Sequence, residues 1–228
     1  MTVDLFELLF RPDAFFQKRM AENENLLFPA IIVLVGAIIA GATGYLSSTL
    51  TSQLLGWTGL GTGLVTILSV ICAFAGVFIC WVIIAGIFYL VSLIFEGNGT
   101  FSRSLEAIGY GFLPLVLGYL VTLAVGLTYI PRIAAETLSR GGSFANPAAA
   151  MSATQAFMND PLVTQYTRIT MIVAIIFLLW STYCWIFGMK HARQLTARDA
   201  AICVGVPVLL YIIYLLAMLL LSSALFRV

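Results

Sequence analysis

The chain has 228 residues, of which 61% are hydrophobic and 9% charged, with a formal net charge of +1. Soluble globular proteins carry about 25% charged residues, so this composition excludes a soluble enzyme and a secreted disulfide scaffold. The small basic excess also excludes a free nucleic-acid binder. All four cysteines lie in apolar runs, where we interpret them as buried packing residues; they are Cys72, Cys80, Cys184 and Cys203.

The first 24 residues combine helical periodicity with charged and apolar positions. Asp4, Glu7 and Arg11 fall on one helix face, with leucine and phenylalanine between them, and Pro12 interrupts the pattern. Five acids against three bases give a net charge of −2, unlike the basic start of a signal peptide. We predict that 1–24 is an amphipathic segment held in the membrane interface by apolar insertion. Docking on the helix bundle as a cap is the alternative.

Long uncharged stretches predict five membrane-spanning helices within a membrane domain over 25–228. A hydrocarbon core about 30 Å thick needs about 20 helical residues. The 71 uncharged positions between Glu24 and Glu96 therefore hold two crossings, separated by a glycine-rich turn near 51–63. The predicted spans are 26–50, 64–95, 107–130, 169–189 and 200–226. The fold class is all-α, since uncharged runs of this length exclude a barrel of alternating strands.

Two short polar loops, after the second and fourth spans, have similar sequences. In each, a hydroxyl side chain (Ser102 or Thr196) precedes an acid by three or four residues, which is typical of a capped helix start. In each, a proline (Pro114 or Pro207) follows within the next span, where we expect it to kink the helix and free a carbonyl. The pattern predicts a parallel repeat of spans two–three and four–five. Independent capping of two unrelated helices is the alternative.

Basic residues are unevenly distributed between the two sets of loops. With a cytoplasmic N-terminus, seven of the 11 Lys and Arg residues lie inside and four outside, which favours this orientation and an external C-terminus. Trp57, Tyr129 and Tyr166 then fall near the outer surface as an aromatic belt. The outer loop over 131–166 is too small to be a domain, and we expect a short helix over 148–158.

Small residues recur every four positions in the first span, at Gly36, Ala40, Gly44 and Ser48. Such residues let helix backbones approach closely, which drives helix association in lipid. We predict that this ladder packs within the bundle or, alternatively, against a second copy of the chain.

Several motifs occur in a defined order along the chain. They are Gly97-x-Gly99-x-Phe101, Ile108-Gly109-Tyr110-Gly111, Leu113-Pro114, the segment from Trp180 through Gly188, His191, Thr196 and Pro207, preceded by Leu5-Phe6 and Phe15-Phe16. Together they resemble the Yip domain family of Ypt-interacting proteins, and the N-terminal motif is similar to that of its prokaryotic members. The resemblance spans nearly the whole chain and implies a membrane-organising or trafficking role. Because the long soluble N-terminal region of eukaryotic members is missing here, we do not expect direct binding of a Rab-type small GTPase.

No catalytic or metal-binding motif is evident in the sequence. The single histidine, His191, lies eight residues before Asp199 at a helix end, and we interpret it as an interfacial polar residue. Acids at span edges or in loops, namely Glu96, Glu106 and Asp160, are interpreted as solvated. The span cores contain no ionisable side chain, unlike those of an ion-coupled carrier. A small-solute channel, a facilitator or a lipid-handling transporter built on the proline kinks stays as the alternative function.

We therefore predict a non-enzymatic, five-helix protein of a prokaryotic cell membrane, without a cofactor, that organises membranes or membrane-protein assemblies. Its expected partners are membrane lipids, other membrane proteins or a second copy of the chain.

Overall fold

A computed structural model describes residues 4–54, 59–139 and 155–225. Every long element in these residues is a helix. In chain order the helices are α1 (Leu5–Phe10), α2 (Pro12–Met20), α3 (Leu27–Leu54), α4 (Leu60–Ile94), α5 (Phe101–Gly111), α6 (Leu113–Ser139), α7 (Pro161–Ala192) and α8 (Ala197–Leu225).

Five stretches are long and apolar enough to cross a membrane, which confirms the predicted all-α, polytopic fold. They are Leu27–Ser52, Leu60–Ile94, Phe101–Glu136, Pro161–Ala192 and Ala197–Ala217. The helices extend beyond the uncharged runs, because charged residues can continue a helix outside the hydrocarbon. As a result, α6 takes up 131–139 and α7 takes up 161–166 of the segment over 131–166 that was predicted to be a loop.

The predicted outer surface includes a short helix over 148–158 and three aromatic residues. Residues 155–158 are helical, whereas the start of the short helix predicted there, 148–154, and Trp57 lie outside the described residues. The rings of Tyr129 and Tyr166 have centroids 6.0 Å apart, so these two aromatic residues lie together where α6 packs on the first turns of α7.

The five crossings form a ring. Helix α3 packs on α4 and α6, α6 packs on α7, α7 packs on α8, and α8 returns to α4. The short helix α5 lies against α3, α4 and α7, and seven of its 11 residues are buried. The hydrophobic core is therefore centred on this enclosed helix.

The third crossing is a broken helix made of α5 and α6. The kink expected at Pro114 is instead a break: α5 ends at Gly111, and Pro114 is the second residue of α6, where its missing N–H costs no helical hydrogen bond. The indole N–H of Trp185 donates to the Ile108 carbonyl, one of those freed at the end of α5, at 3.0 Å. A Cβ on Gly111 would overlap this indole ring, so glycine is needed there. Pro207, in contrast, lies inside the continuous helix α8.

The small-residue ladder of α3 packs inside the bundle. A Cβ on Gly36 would lie 3.0 Å from a valine of α6, and one on Gly44 would lie 2.7 Å from a backbone oxygen of α4. Ser48 is buried and accepts a hydrogen bond from Thr66 of α4 at 3.0 Å, and Ala40 packs against the core. These faces are occupied within one chain, so the ladder is not free to bind a second copy.

The four cysteines are free thiols, but they do not share one environment. Cys184 and Cys203 are buried, whereas Cys72 and Cys80 are exposed on α4. The interpretation of all four as buried was therefore wrong for Cys72 and Cys80. The cause is the position of α4, whose most apolar window is only 11% buried inside the protein and which presents most of its surface to lipid.

Candidate functional site at the charged end

Charged residues that are distant in sequence converge at one end of the ring, which we call the charged end. It consists of α2 with its linker over 21–26, the loop over 95–100 between α4 and α5, and the turn over 193–196 between α7 and α8. Most of the motif residues identified in the sequence lie here or directly beneath it.

Arg193 joins the loop to the turn. Its side chain is 1% exposed, its Nε donates to Ser92 Oγ at 2.9 Å, and its terminal nitrogens donate to the carbonyl oxygens of Gly97 and Gly99. The guanidinium also stacks on the ring of Tyr89, 4.5 Å from its centroid. Neutral oxygen acceptors and an aromatic face thus surround this buried charge.

Both glycines of the loop lie where a Cβ would meet a backbone oxygen, that of Ala192 at the end of α7 for Gly99 and that of Ser92 at the end of α4 for Gly97. Gly99 has φ +120°, and a Cβ there would lie closer to the Ala192 carbonyl oxygen than the 3.0 Å that real Cβ atoms keep. A Cβ on Gly97 would lie 2.9 Å from another backbone oxygen. The backbone N–H of Asn98, between them, donates to the Arg193 carbonyl at 2.9 Å. The Gly97-x-Gly99 motif is therefore a contact between backbones.

Helices α4 and α7 end with the same geometry. Glu96 and Gln194 both have φ +55° and stand just beyond their helices. The following residues, Gly97 and Leu195, donate backbone N–H bonds to the carbonyls of Ser92 and Lys190, each at 3.0 Å. This is the Schellman arrangement, here built with non-glycine residues in the left-handed position.

The structure agrees with one of the two predicted helix caps and differs from the other. Thr196 accepts a hydrogen bond from the Asp199 N–H at 3.2 Å and caps α8. Helix α5 is instead capped by Thr100, which accepts from the Arg103 N–H at 3.1 Å. Ser102 as its cap was therefore wrong, since α5 begins at Phe101. The two hairpins share their helix ends, but the caps are not in equivalent positions and the two prolines act differently.

Glu106 is the most deeply buried acid at the charged end. It is 0% exposed, and its carboxylate lies 2.5 Å from an Arg19 nitrogen and 2.9 Å from an Arg103 nitrogen. Arg19 is itself 4% exposed. Glu106 was predicted to be solvated, and this was wrong, because α2 folds over the start of α5 and excludes water. The buried Arg19–Glu106 pair attaches α2 to α5.

The linker after α2 is held by hydrogen bonds from the same two arginines and from Thr100. The Arg103 guanidinium donates to the Glu22 carbonyl, and Arg19 donates to the Asn23 carbonyl at 3.0 Å. Thr100 Oγ1 donates to the Glu24 carboxylate at 2.6 Å.

Hydrogen bonds to the charged Glu24 carboxylate and to the charged Arg19 guanidinium shift the pKa values of both groups. Hydrogen bonds from the Thr100 and Ser102 hydroxyls lower the pKa of the Glu24 carboxyl. Burial alone lowers the pKa of Arg19, but the Tyr110 hydroxyl and the Glu106 carboxylate raise it, and the net shift is upward. Both groups are therefore charged at neutral pH.

A third contact attaches α2 to the end of α7. Lys190 Nζ donates to Asp13 Oδ1 at 2.7 Å, and His191 Nε2 lies 2.7 Å from the same oxygen. Hydrogen bonds from Lys190 and His191 lower the pKa of the Asp13 carboxyl. Beneath this pair, Gly188 leaves room for Phe16, whose ring atom would lie 3.3 Å from a Cβ on that glycine.

Helix α1 continues along α7 away from the charged end. The indole N–H of Trp180 donates to the Leu9 carbonyl at 3.1 Å, and the Trp180 ring contacts Phe10 at 5.8 Å. Buried α2 phenylalanines pack on Tyr110 of α5, with Phe15 at 5.2 Å. The N-terminal helices thus form a cap on the bundle, the alternative considered above.

The opposite edge of the cap is apolar and exposed. Leu5 is 43% exposed, Phe6 69% and Phe10 55%. The segment is therefore amphipathic as a unit: one side packs on the bundle, and the other presents aromatic side chains outward.

Within residues 4–54, 59–139 and 155–225, no cluster of three or more His, Cys, Asp or Glu residues could hold a metal ion. The carboxylates at the charged end instead accept hydrogen bonds from arginine, lysine and hydroxyl groups. This arrangement holds elements together, and an open cavity of about 390 Å³ lies between α2, its linker and Tyr110.

Comparison with known proteins identifies the family. The Yip1 domain matches residues 6–219, nearly the whole chain. This chain belongs to the Yip1 domain family. An uncharacterised protein of Methanocaldococcus jannaschii is 34% identical over 131 residues, which cover 54% of this chain and 88% of that protein, in agreement with a prokaryotic-type member. No solved structure matches this Yip1-domain protein.

The residues that carried the family resemblance have distinct places in this Yip1-domain protein. Gly97 and Gly99 lie in the loop that meets the end of α7, and Phe101, the first residue of α5, contacts Tyr89 of α4 with ring centroids 5.5 Å apart. Of the other motif residues, Tyr110, Trp180, Gly188 and His191 lie at the interfaces among α1, α2, α5 and α7. Pro114 and Thr196 lie at helix starts, and Pro207 lies inside α8.

Three charged residues central to this end were not identified as site candidates from the sequence: Arg19, Glu106 and Arg193. Their partners are far away along the chain, so no local motif contains them. One signal was available for Glu106, since an acid inside the first turns of a membrane helix is rarely buried without a partner.

Proposed function

We propose that this Yip1-domain protein organises membranes without catalysing a reaction, by holding an apolar wedge in one leaflet. The observation that supports this role is the exposed edge formed by Leu5, Phe6 and Phe10 on a cap that is attached to the ring of helices. An amphipathic helix inserted at the boundary of the acyl chains displaces lipid on one side of the bilayer.

The attachment distinguishes this wedge from a freely moving amphipathic helix. The cap is joined to α5 by the Arg19–Glu106 pair and to α7 by Asp13 and Trp180. The attachment points Trp180 and Lys190 stand ten residues apart on α7, about 15 Å along its axis, so the cap is held at two depths. Each copy of the protein would therefore displace a fixed area of one leaflet, equal to that displaced by every other copy.

We place the charged end in the cytoplasm of a prokaryotic cell, because most basic residues lie in the loops on that side. The partners of the wedge are membrane lipids, and its effect on neighbouring membrane proteins follows from the deformation. The alternative activity, a small-solute channel or lipid-handling transporter, is an outcome of the experiment below.

The experiment reconstitutes the purified protein into liposomes and reads vesicle shape by electron microscopy together with release of a trapped dye. We expect the wild type to tubulate or cluster vesicles without releasing dye. Phe6→Glu should lose this effect while the helices stay inserted, because placing a charge where a phenylalanine side chain was buried in lipid removes about 2 kcal/mol of insertion free energy.

Gln17→Glu is the matched control, since it adds the same charge at an exposed polar position of α2 and should deform vesicles as the wild type does. Undeformed vesicles with wild-type protein, or equal deformation by Phe6→Glu, would refute the wedge. Dye release above that of protein-free vesicles would favour the channel or transporter instead.

A further inference from the structure

The last crossing, α8, packs on α4 near the charged end and stands apart from it further along. Cys203 of α8 is fully buried, and its Sγ donates to the Phe88 carbonyl of α4 at 3.1 Å. The same side of α8 continues at Leu210 and Tyr214, seven and eleven residues further on. These two side chains are 63% and 54% exposed. On this side, which we call the open side of α8, the helix has therefore parted from α4.

Two tyrosines stand on the open side. Tyr211 precedes Tyr214 by one helical turn and is 52% exposed. Their rings are stacked, with centroids 6.4 Å apart. Among the residues that the structure describes, neither hydroxyl has a hydrogen-bond partner. The open side thus presents two polar groups that lack partners.

These hydroxyls lie deep in the membrane. Tyr211 and Tyr214 follow Asp199, the last charged residue before the crossing, by 12 and 15 residues, which is about 18–23 Å along the helix axis. Side chains of a helix lean towards its N-terminus, here towards the centre of a hydrocarbon core about 30 Å thick. Because an unpaired hydroxyl is unfavourable in hydrocarbon, acyl chains alone are a poor occupant of the open side.

A second copy of the chain can provide partners for these hydroxyls. A tyrosine hydroxyl is both a donor and an acceptor, so a surface whose polar groups are tyrosine hydroxyls is complementary to itself. Two copies with the same orientation in one membrane are related by a two-fold axis along the membrane normal, and residues at equal depth then meet. Tyr211 and Tyr214 differ in depth by about 4.5 Å, which a tyrosine side chain can span.

We propose that the open side of α8 is the interface of a symmetric dimer, in which the Tyr211 and Tyr214 hydroxyls of one copy pair with those of the other. By symmetry, two hydrogen bonds form across the axis. The small-residue ladder of α3 is occupied within one chain, whereas this surface is exposed. The dimer does not depend on the proposed wedge, because the wedge lies on the N-terminal cap and this interface on α8.

The first test measures self-association of the full-length protein in liposomes. Energy transfer is recorded between copies that carry donor or acceptor fluorescent proteins at the N-terminus, while added lipid dilutes them. We expect the wild type to associate and Tyr211→Phe/Tyr214→Phe to associate about tenfold more weakly, because the symmetric interface loses two interhelical hydrogen bonds. Tyr45→Phe is the matched control, since Tyr45 is an exposed tyrosine of another helix, α3, and should associate as the wild type does.

The second test locates the interface by cross-linking. The exposed cysteines of α4 are first removed by Cys72→Ala and Cys80→Ala. In this background Tyr214→Cys should form a disulfide between copies on mild oxidation, because equivalent residues beside a two-fold axis come within bonding distance. Tyr45→Cys in the same background should stay uncrosslinked.

Phenylalanine keeps the apolar surface of tyrosine, so the double variant should melt at the wild-type temperature, and a thermal melt checks that it is folded. Energy transfer by the wild type that equals that of non-interacting membrane proteins at every dilution would overturn the proposal and assign the open side to lipid. Equal association of the wild type and the folded double variant, or cross-linking through Tyr45→Cys alone, would overturn it as well.

Discussion

Substituting Gly99 by alanine should separate the loop over 95–100 from the end of α7. The residue has φ +120°, and a Cβ would overlap the Ala192 carbonyl oxygen, which belongs to a helix backbone and cannot rotate away. Holding an L-residue in this conformation costs about 1–3 kcal/mol. Relief of the overlap moves the loop and breaks two bonds.

The loss of those two hydrogen bonds adds to the destabilisation of Gly99→Ala. The first is the Asn98 N–H bond to the Arg193 carbonyl, worth about 1 kcal/mol. The second is the charge-assisted bond from Arg193 to the Gly99 carbonyl, worth about 1.5 kcal/mol or more. With the backbone cost, Gly99→Ala should destabilise the protein by about 4 kcal/mol, and for a chain of this size the midpoint of thermal unfolding should fall by about 12 °C.

The assay is thermal unfolding of the purified protein in detergent, followed by tryptophan fluorescence. Gly76→Ala is the matched control, because Gly76 lies inside α4 and a Cβ there meets nothing within 4 Å. Alanine is favoured over glycine inside a helix by about 1 kcal/mol, so this variant should melt at or slightly above the wild-type temperature. If Gly99→Ala and Gly76→Ala unfold at the same temperature, the loop does not need a glycine beside the Ala192 carbonyl oxygen.

Three further changes test the attachment of the N-terminal cap. Glu106→Gln leaves the buried Arg19 without its buried carboxylate partner and should cost about 3–5 kcal/mol in thermal unfolding, whereas replacing the exposed acid in Glu96→Gln should cost almost nothing. Asp13 has a lowered pKa in the folded protein, so its stabilising effect is present above its ordinary pKa of 3.8 and is lost as the pH falls through the lower folded value. Asp13→Asn should therefore unfold at a lower temperature than the wild type at neutral pH. This difference in unfolding temperature should shrink in strong acid. Trp180→Phe removes the bond to the Leu9 carbonyl and should weaken docking of α1 by about 1 kcal/mol, seen as faster trypsin cleavage at the exposed Lys18; unchanged cleavage would mean that the indole bond does not hold the cap.

The crossings could be predicted because lipid imposes a simple rule on the chain. A membrane helix must satisfy its backbone internally and avoid charge, so the uncharged runs alone indicate five crossings. The ends of the helices could not be read in the same way, because Arg132 and Glu136 continue α6 beyond the apolar run. Pro114 shows a related limit: a proline predicts a disturbed helix, but its neighbours decide between a kink and a break.

The charged end was only partly predictable, since its key contacts are long-range. The Gly97-x-Gly99 motif indicated an unusual loop, yet nothing near it in sequence points to Arg193 as its partner. In the same way, Glu106 is an ordinary span-edge acid until Arg19 folds over it. The assignment of the cap to Ser102 rather than Thr100 came from matching two loops of unequal length.

The attachment of the N-terminal cap has a consequence for biosynthesis. The cap leaves the ribosome before its docking surface on α7 around Trp180 and Lys190, which is made about 170 residues later; at 5–20 residues per second this delay is roughly 10–30 s. For about the first half of that interval Arg19 has no Glu106, which follows it by 87 residues, and throughout the interval the side of the cap that packs on α7 is uncovered. Docking of the N-terminus is therefore a late step of maturation, and a chain truncated before α7 would expose this segment to the proteases that remove incomplete membrane proteins.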